Sequence, residues 1–153
     1  MIGNDLVDLL EASRQSNWRR PGFLEKVFSA AEQGAILAAE KPEELVWLFW
    51  SMKEAAYKIH SRITGERSFA PTALDCSLRS TLEQEASGKV LVDQQTYYTT
   101  STLNADYIHT LAAQAEEWLP DIRVEIYDQP LENYHLRSPA CVSHHGRYLA
   151  LVF

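Results

Sequence analysis

The chain has 153 residues, 46% hydrophobic and 23% charged, with a net charge of −7 at pH 7. That length and balance predict a single domain over residues 1–153, able to bury a core without metal or disulfide staples. They exclude a disordered chain, and the negative charge argues against nucleic acid as a general partner, because phosphate backbones attract basic surfaces.

The N-terminal MIGNDLVDLL lacks the basic region and apolar run of a signal peptide, and no apolar stretch reaches the roughly 18 residues a membrane helix needs. Cys76 and Cys141 lie far apart without CxxC spacing. The expectation is a soluble cytoplasmic protein with reduced thiols and no membrane partner. Gly3-Asn4-Asp5 has two readings: a cap for the helical pattern DLVDLLEAS, with Leu6, Leu9 and Leu10, or a short initial strand ending at Asp5. SRQSNWRRPG then gathers Arg14, Arg19 and Arg20 before the turn signal Pro21-Gly22, as either a local basic patch or solvated surface charge. FLEKVFSAAEQGAIL places Phe23, Val27, Ala30 and Ala31 at helical spacing, and a long helix is predicted from about Pro42 to about Ile63.

The second half changes period. TALDCSL, GKVLV, QTYYTTST, DYIHTLAA, IRVEIY and RYLALVF are short and rich in β-branched and aromatic residues, with turn signals between them. Helices followed by mostly antiparallel strands predict an α+β fold with the long helix packed on a sheet.

At about 100° per residue the long helix gathers Leu45, Leu48, Phe49, Met52, Ala55, Ala56, Ile59 and Ile63 on one arc. Glu54 lies opposite, with Lys58 about 40° to one side and Trp47, Trp50, Ser51 and Ser61 in the same sector. The Glu54/Lys58 spacing suits an exposed i,i+4 ion pair, and the tryptophans suit covering neighbouring elements. If a ligand or second subunit covers that face instead, Glu54 becomes a desolvated carboxylate beside an ammonium. A strand ending at Asp5 could bring a second carboxylate beside it, the arrangement a magnesium ion holding a pyrophosphate needs. Near the C-terminus, Ser143, His144, His145, Gly146 and Arg147 read either as a polar hairpin turn tightened by Gly146 or as a phosphate-binding strand edge.

Together these segments resemble the 4'-phosphopantetheinyl transferase superfamily. GNDLVDL looks like the G-x-D segment of its small single-domain members, the holo-acyl-carrier-protein synthases. WSMKEAAYK is similar to the W/F-x-x-K-E-A/S-x-x-K helix, and SHHGRYLALV to the S-H-x-G-R-W/Y strand of the surfactin-type members. Three features depart from the pattern. Val7 stands where surfactin-type members carry an extra acid, HSRITGERS offers only Gly65 where the small synthases have a Gly-rich turn, and SHHGRY follows the other motifs rather than preceding them. Residues 114–140 match no part of the pattern, and the acidic charge differs from the basic small synthases.

The resemblance implies Mg²⁺-dependent transfer of phosphopantetheine from coenzyme A to a serine of an apo acyl or peptidyl carrier protein, releasing adenosine 3',5'-bisphosphate. In that reading Asp5 and Glu54 hold the metal. Lys58 stabilises or protonates the leaving oxygen, and Glu54, directly or through a water, relieves the serine of its proton. Ser143, His144 and Arg147 contact coenzyme A phosphate, Gly65 lies in the flanking loop, and Arg14, Arg19 and Arg20 dock the carrier. By analogy the chain is a trimer, although its C-terminal strand leaves a dimer or monomer open, as the pathway stays open between fatty-acid, polyketide and peptide synthesis. The rival is a catalytically impaired relative that binds coenzyme A or a carrier protein as regulator or scaffold; a purely structural acidic domain is a third reading.

Overall fold

Seven residues, Ile2–Asp8, form the first strand, β1, in the computed structural model, which describes residues 1–153. Leu6 and Val7 are therefore strand residues rather than the opening of a helix. The reason is pairing: β1 runs antiparallel to Tyr107–Ala113 in unbroken register from Ile2 opposite Ala113 to Asp8 opposite Tyr107, which satisfies backbone groups that a helix start would leave open. Helix α1 (Leu9–Gln15) begins where the Asp8 carboxylate accepts from the amides of Leu10 and Glu11.

The pattern expected to give one helix from Phe23 gives two, α2 (Phe23–Val27) and α3 (Ala30–Ala38). Ser29 divides them. Its hydroxyl accepts from the Glu32 amide and its own amide donates to the Glu32 carboxylate at 2.8 Å, a reciprocal cap that starts a new helix. Helix α4 (Pro42–Thr64) opens on Pro42 and is capped by Gly65. Its predicted arc is buried at Leu48, Phe49, Met52, Ala55, Ala56 and Ile59, whereas Ile63 in the last turn is exposed. No helix is long and apolar enough to cross a membrane.

Strands β2 (Asp75–Thr81), β3 (Glu85–Val92), β4 (Gln95–Leu103) and β5 (Tyr107–Ala113) complete a sheet of order β1-β5-β4-β3-β2, antiparallel throughout. Helix α4 packs across it, giving the expected α+β architecture. A second sheet, not expected from the sequence, has the order β6-β8-β7, with β6 (Val124–Tyr127), β7 (Cys141–His145) and β8 (Tyr148–Val152). Leu6 of β1 packs with Tyr148 and Ala150 of β8, which joins this sheet to β1.

Two contacts set how closely these layers approach. A Cβ at Gly3 would collide with the Ala55 carbonyl oxygen, so only glycine lets β1 lie against α4 at this depth. Lys53, fully buried, donates to Glu32 Oε1 at 2.7 Å and to the carbonyls of Val27 (3.1 Å), Pro71 (2.8 Å) and Leu74 (2.7 Å). The other Glu32 oxygen accepts from the Cys76 amide at 2.7 Å. Removing one partner strands the other in the interior, a loss of about 3–5 kcal/mol. Lys53→Ala should lower the unfolding free energy from urea titration by that much, read as a lower midpoint at unchanged slope; an unchanged midpoint would mean the pair is not what joins these segments.

Candidate active site

A cavity of about 400 Å³ opens between α4, β1, the end of α1 and β7. Alternation along β1 turns Asp5 toward α4, while α4 presents Trp47, Trp50, Glu54 and Lys58 and β7 presents Ser143 and His144. The fold thus brings Asp5, Glu54, Lys58, Ser143 and His144, remote in sequence, to the lining of one space. The Lys58 ammonium is anchored by the Asn4 carbonyl at 2.7 Å, lies 3.6 Å from Asp5 Oδ1 and reaches Ser143 Oγ at 3.4 Å.

The carboxylates are poorly served by protein alone. Asp5 Oδ2 is buried without a hydrogen-bond partner. Burial pushes the Asp5 pKa up to about 7 against the opposing pull of Lys58, and the neighbouring Glu54 charge pushes the same way. Glu54 is also raised, by burial, with Lys58 again opposing. An orphaned oxygen and two carboxylates resisting ionisation in one cavity fit a divalent cation bound by Asp5 and Glu54.

The remaining expected residues fall elsewhere. Arg147 does not line this cavity. Its guanidinium grips Asp8 with two bonds of 3.0 Å, and its amide donates to the same carboxylate at 2.9 Å, which drives the Asp8 pKa well below the usual range. Gly146 turns the β7–β8 hairpin at φ 52°, where a Cβ would strike Asp8. The expected polar turn is present, but Ser143, His144 and His145 lie in the strand before it. His145 joins the same clamp: its Nδ1 accepts from the Asp8 amide at 2.9 Å, so its Nε2–H faces Gln15 Oε1 at 3.0 Å. Gly65 caps α4 outside the cavity, because the following loop turns back along the helix and Phe69 packs on Trp50 and Tyr57. Arg14, Arg19 and Arg20 are exposed; Arg19 stacks on Trp18 and borders a separate groove with Lys41 and Arg147. Trp47 is buried edge-on against Phe23, so it covers a neighbouring helix and lines the cavity as well.

The sequence reading missed Asp8 and Lys53. Asp8 precedes Leu9-Leu10-Glu11, a cap signature obscured because Asn4 and Asp5 read as caps or as strand residues just before the same apolar pattern. Lys53 carried no signal of burial, since its partner Glu32 reads as an ordinary capping residue.

A second group, His60, Glu66 and Asp93, places ligand atoms within 4.8 Å of one another and could hold a divalent ion. It lies apart from the cavity that Asp5 and Glu54 line. Tyr97 OH meets His60 Nδ1 at 2.9 Å and has no other acceptor, so the phenol donates there and His60 Nε2–H donates to Asp93 at 3.1 Å. A cation on Nε2 would have to reverse that chain, which makes Asp5 and Glu54 the better-suited pair.

With the geometry in view, the comparison with family models is decisive. The 4'-phosphopantetheinyl transferase superfamily (ACPS) model matches residues 1–112. The chain belongs to the 4'-phosphopantetheinyl transferase superfamily. Membership makes it one of the phosphopantetheinyl transferase enzyme family, with a carrier-protein type of partner in general terms. No curated protein matches it. Asp5, Glu54 and Lys58 fall inside the transferase match, whereas β6, β7 and β8, with Ser143 and His144, lie beyond it.

Between about pH 4, where an unfolded aspartate titrates, and about pH 7, where Asp5 titrates in the fold, the folded chain holds the extra proton. Stability from this residue therefore falls as pH rises through that window. Asp5→Asn should match the wild-type Tm near pH 4 and exceed it at pH 8, and Mg²⁺ should raise only the wild-type Tm at pH 8. Parallel pH profiles for the two proteins would refute the assignment.

Proposed function

We propose that the protein transfers the 4'-phosphopantetheine arm of coenzyme A to a serine hydroxyl of an apo carrier protein, with Mg²⁺ bound by Asp5 and Glu54. The observation that carries this reading is the meeting of Asp5, Glu54 and Lys58 with Ser143 and His144 in one cavity. Phosphoryl transfer asks a protein for positioning and charge neutralisation, and this lining offers both.

When bound, the magnesium ion supplies charge neutralisation at the pyrophosphate and polarises the phosphorus under attack. The chain's own residues do the rest. Glu54 takes the serine proton as the new oxygen–phosphorus bond forms, directly or through a water, a role its raised pKa favours. The bond to the second phosphate breaks, and adenosine 3',5'-bisphosphate leaves with its new charge facing Lys58. That ammonium, held by the Asn4 carbonyl, stabilises or protonates the leaving oxygen. Ser143 and His144 contact the phosphates from β7. Val7 offers no third carboxylate beside Asp5, so the carboxylates that would hold the ion are Asp5 and Glu54 alone.

Carrier docking falls to the exposed basic residues Arg14, Arg19 and Arg20. Arg19 also borders a groove with Leu9 and Leu10 whose charges are balanced, Lys41 and Arg147 facing Glu43, Glu44 and Asp106, so steering of an acidic carrier falls to the exposed arginines rather than to the groove as a whole. Arg19→Glu should raise KM for the carrier at low salt, with a smaller effect at high salt as the charges are screened. A KM unaffected at any ionic strength would move docking elsewhere.

The direct test is intact-mass analysis of several apo carrier proteins after incubation with coenzyme A and Mg²⁺, with an EDTA control. The expected result is a metal-dependent gain of one phosphopantetheine, abolished in Glu54→Gln with its circular dichroism unchanged and slowed in Lys58→Ala far more than stability is affected. Normal turnover by Glu54→Gln would overturn the mechanism.

A further inference from the structure

Away from the cavity, the end of α4 and the β3–β4 hairpin bring together a second set of metal-ligating groups that the transferase chemistry does not use. His60, Glu66 and Asp93 place ligand atoms within 4.8 Å of one another. We propose that these three residues hold a transition-metal ion of the zinc type, which braces the loop after α4 against the hairpin. The inference is independent of the reaction assigned to the cavity.

The backbone sets each ligand in place. His60 is buried, and Tyr97 OH meets its Nδ1 at 2.9 Å, which fixes the ring. Its Nε2 stands 3.1 Å from Asp93 Oδ2, close to the edge of about 3.3 Å in a tetrahedron whose ligand bonds are about 2.0 Å. Asp93 is the first residue of the two-residue turn Asp93-Gln94, both at positive φ (49° and 66°), which joins β3 to β4 and holds the carboxylate's backbone in one conformation. Glu66 follows the Gly65 cap of α4, its amide donating to Thr64 Oγ1 at 3.2 Å, and its exposed side chain closes the third side.

One imidazole and two carboxylates discriminate between metals. Magnesium prefers oxygen ligands in near-ideal octahedral geometry, whereas zinc and its neighbours bind imidazole nitrogen well. An ion on Nε2 makes His60 Nδ1–H donate to Tyr97, so the phenol proton loses its acceptor, a loss of roughly ten- to a hundredfold in affinity. A weak magnesium contact does not offset that loss; a zinc–nitrogen bond does. Tyr97 then takes the outer place that orients a metal-bound imidazole. What such an ion governs is Phe69, three residues after Glu66, which packs on Trp50 at 5.6 Å and on Tyr57 at 5.0 Å between ring centroids. Trp50 lines the first cavity, so holding Glu66 holds the backing of that wall.

The test uses Co²⁺ and Zn²⁺ as probes on the full chain in excess Mg²⁺, with Asp5→Asn as the background so that the first cavity does not compete. This background should take up one Co²⁺ per chain with a visible absorption band, release it to Zn²⁺, and show slower amide exchange over residues 65–70 when zinc is bound. Adding Glu66→Gln or Asp93→Asn should weaken Co²⁺ by about tenfold or more, no less than the loss of an outer-shell partner. Both side chains are exposed and asparagine accepts the backbone of Asp93, so each variant should fold, which thermal melts verify. No Co²⁺ uptake by the background, or equal uptake by the folded variants, would overturn the site. Uptake without slower exchange over residues 65–70 would overturn the bracing.

Discussion

Lys53 is the interaction on which the remainder of the fold depends. A lysine with no exposed surface is tolerable only when its charge is matched and its protons are accepted, and here Glu32 and three carbonyls do both. Those acceptors come from the end of α2, the start of α3 and the segment leading into β2. One ammonium therefore fixes the rotation of α4 about its axis. With Lys53 turned into the interior, the next residue, Glu54, is carried about 100° around the helix to the cavity wall, and Lys58 follows one turn later. Nothing in the cavity itself orients α4 so firmly.

The cavity is electrostatically the reverse of that interior pair. Glu32 and Lys53 satisfy each other and are closed to solvent, whereas Asp5 and Glu54 crowd two like charges into a partly desolvated space with one shared ammonium. The protein alone leaves this arrangement costly, and the cost is stored where a cationic ligand would relieve it. Asp8, only three positions from Asp5, has the opposite environment. Its carboxylate takes the N-terminal amides of α1 and the Arg147 guanidinium, and its affinity for protons collapses. Two aspartates on one strand thus divide the labour, one holding the walls together and one left wanting a partner.

Much of this was legible in the residues. The 3.6-residue period of α4, the shift to short β-branched segments after residue 74, and the facing of Glu54 and Lys58 away from the core followed from spacing alone. The family was legible in GNDLVDL and WSMKEAAYK. What spacing did not reveal depended on distant partners. Leu6 and Val7 have helical periodicity with Leu9 and Leu10, and only pairing with residues 107–113 makes them strand. CVSHH read equally as a polar turn or a strand edge, and pairing with Tyr148–Val152 makes it strand. Arg147 reads as a phosphate ligand because the carboxylate that claims most of its donors stands at the other end of the chain. Lys53 gave no sign of burial in the residues because the buried partner that neutralises it, Glu32, stands 21 positions away and meets it only in three dimensions.

That end-to-end clamp has a consequence for how the protein comes into being. Asp8 and Arg147 are 139 positions apart, and the cavity needs both the first strand and the last hairpin. On a ribosome β1 emerges early and must wait for β5 to pair with it and for β7 and β8 to roof the space beside it. Until then Asp5 and Glu54 are bathed in water and titrate as ordinary carboxylates. The reactive character of the site is thus a late product of synthesis, and a growing chain carries its acidic residues harmlessly until the closing hairpin arrives.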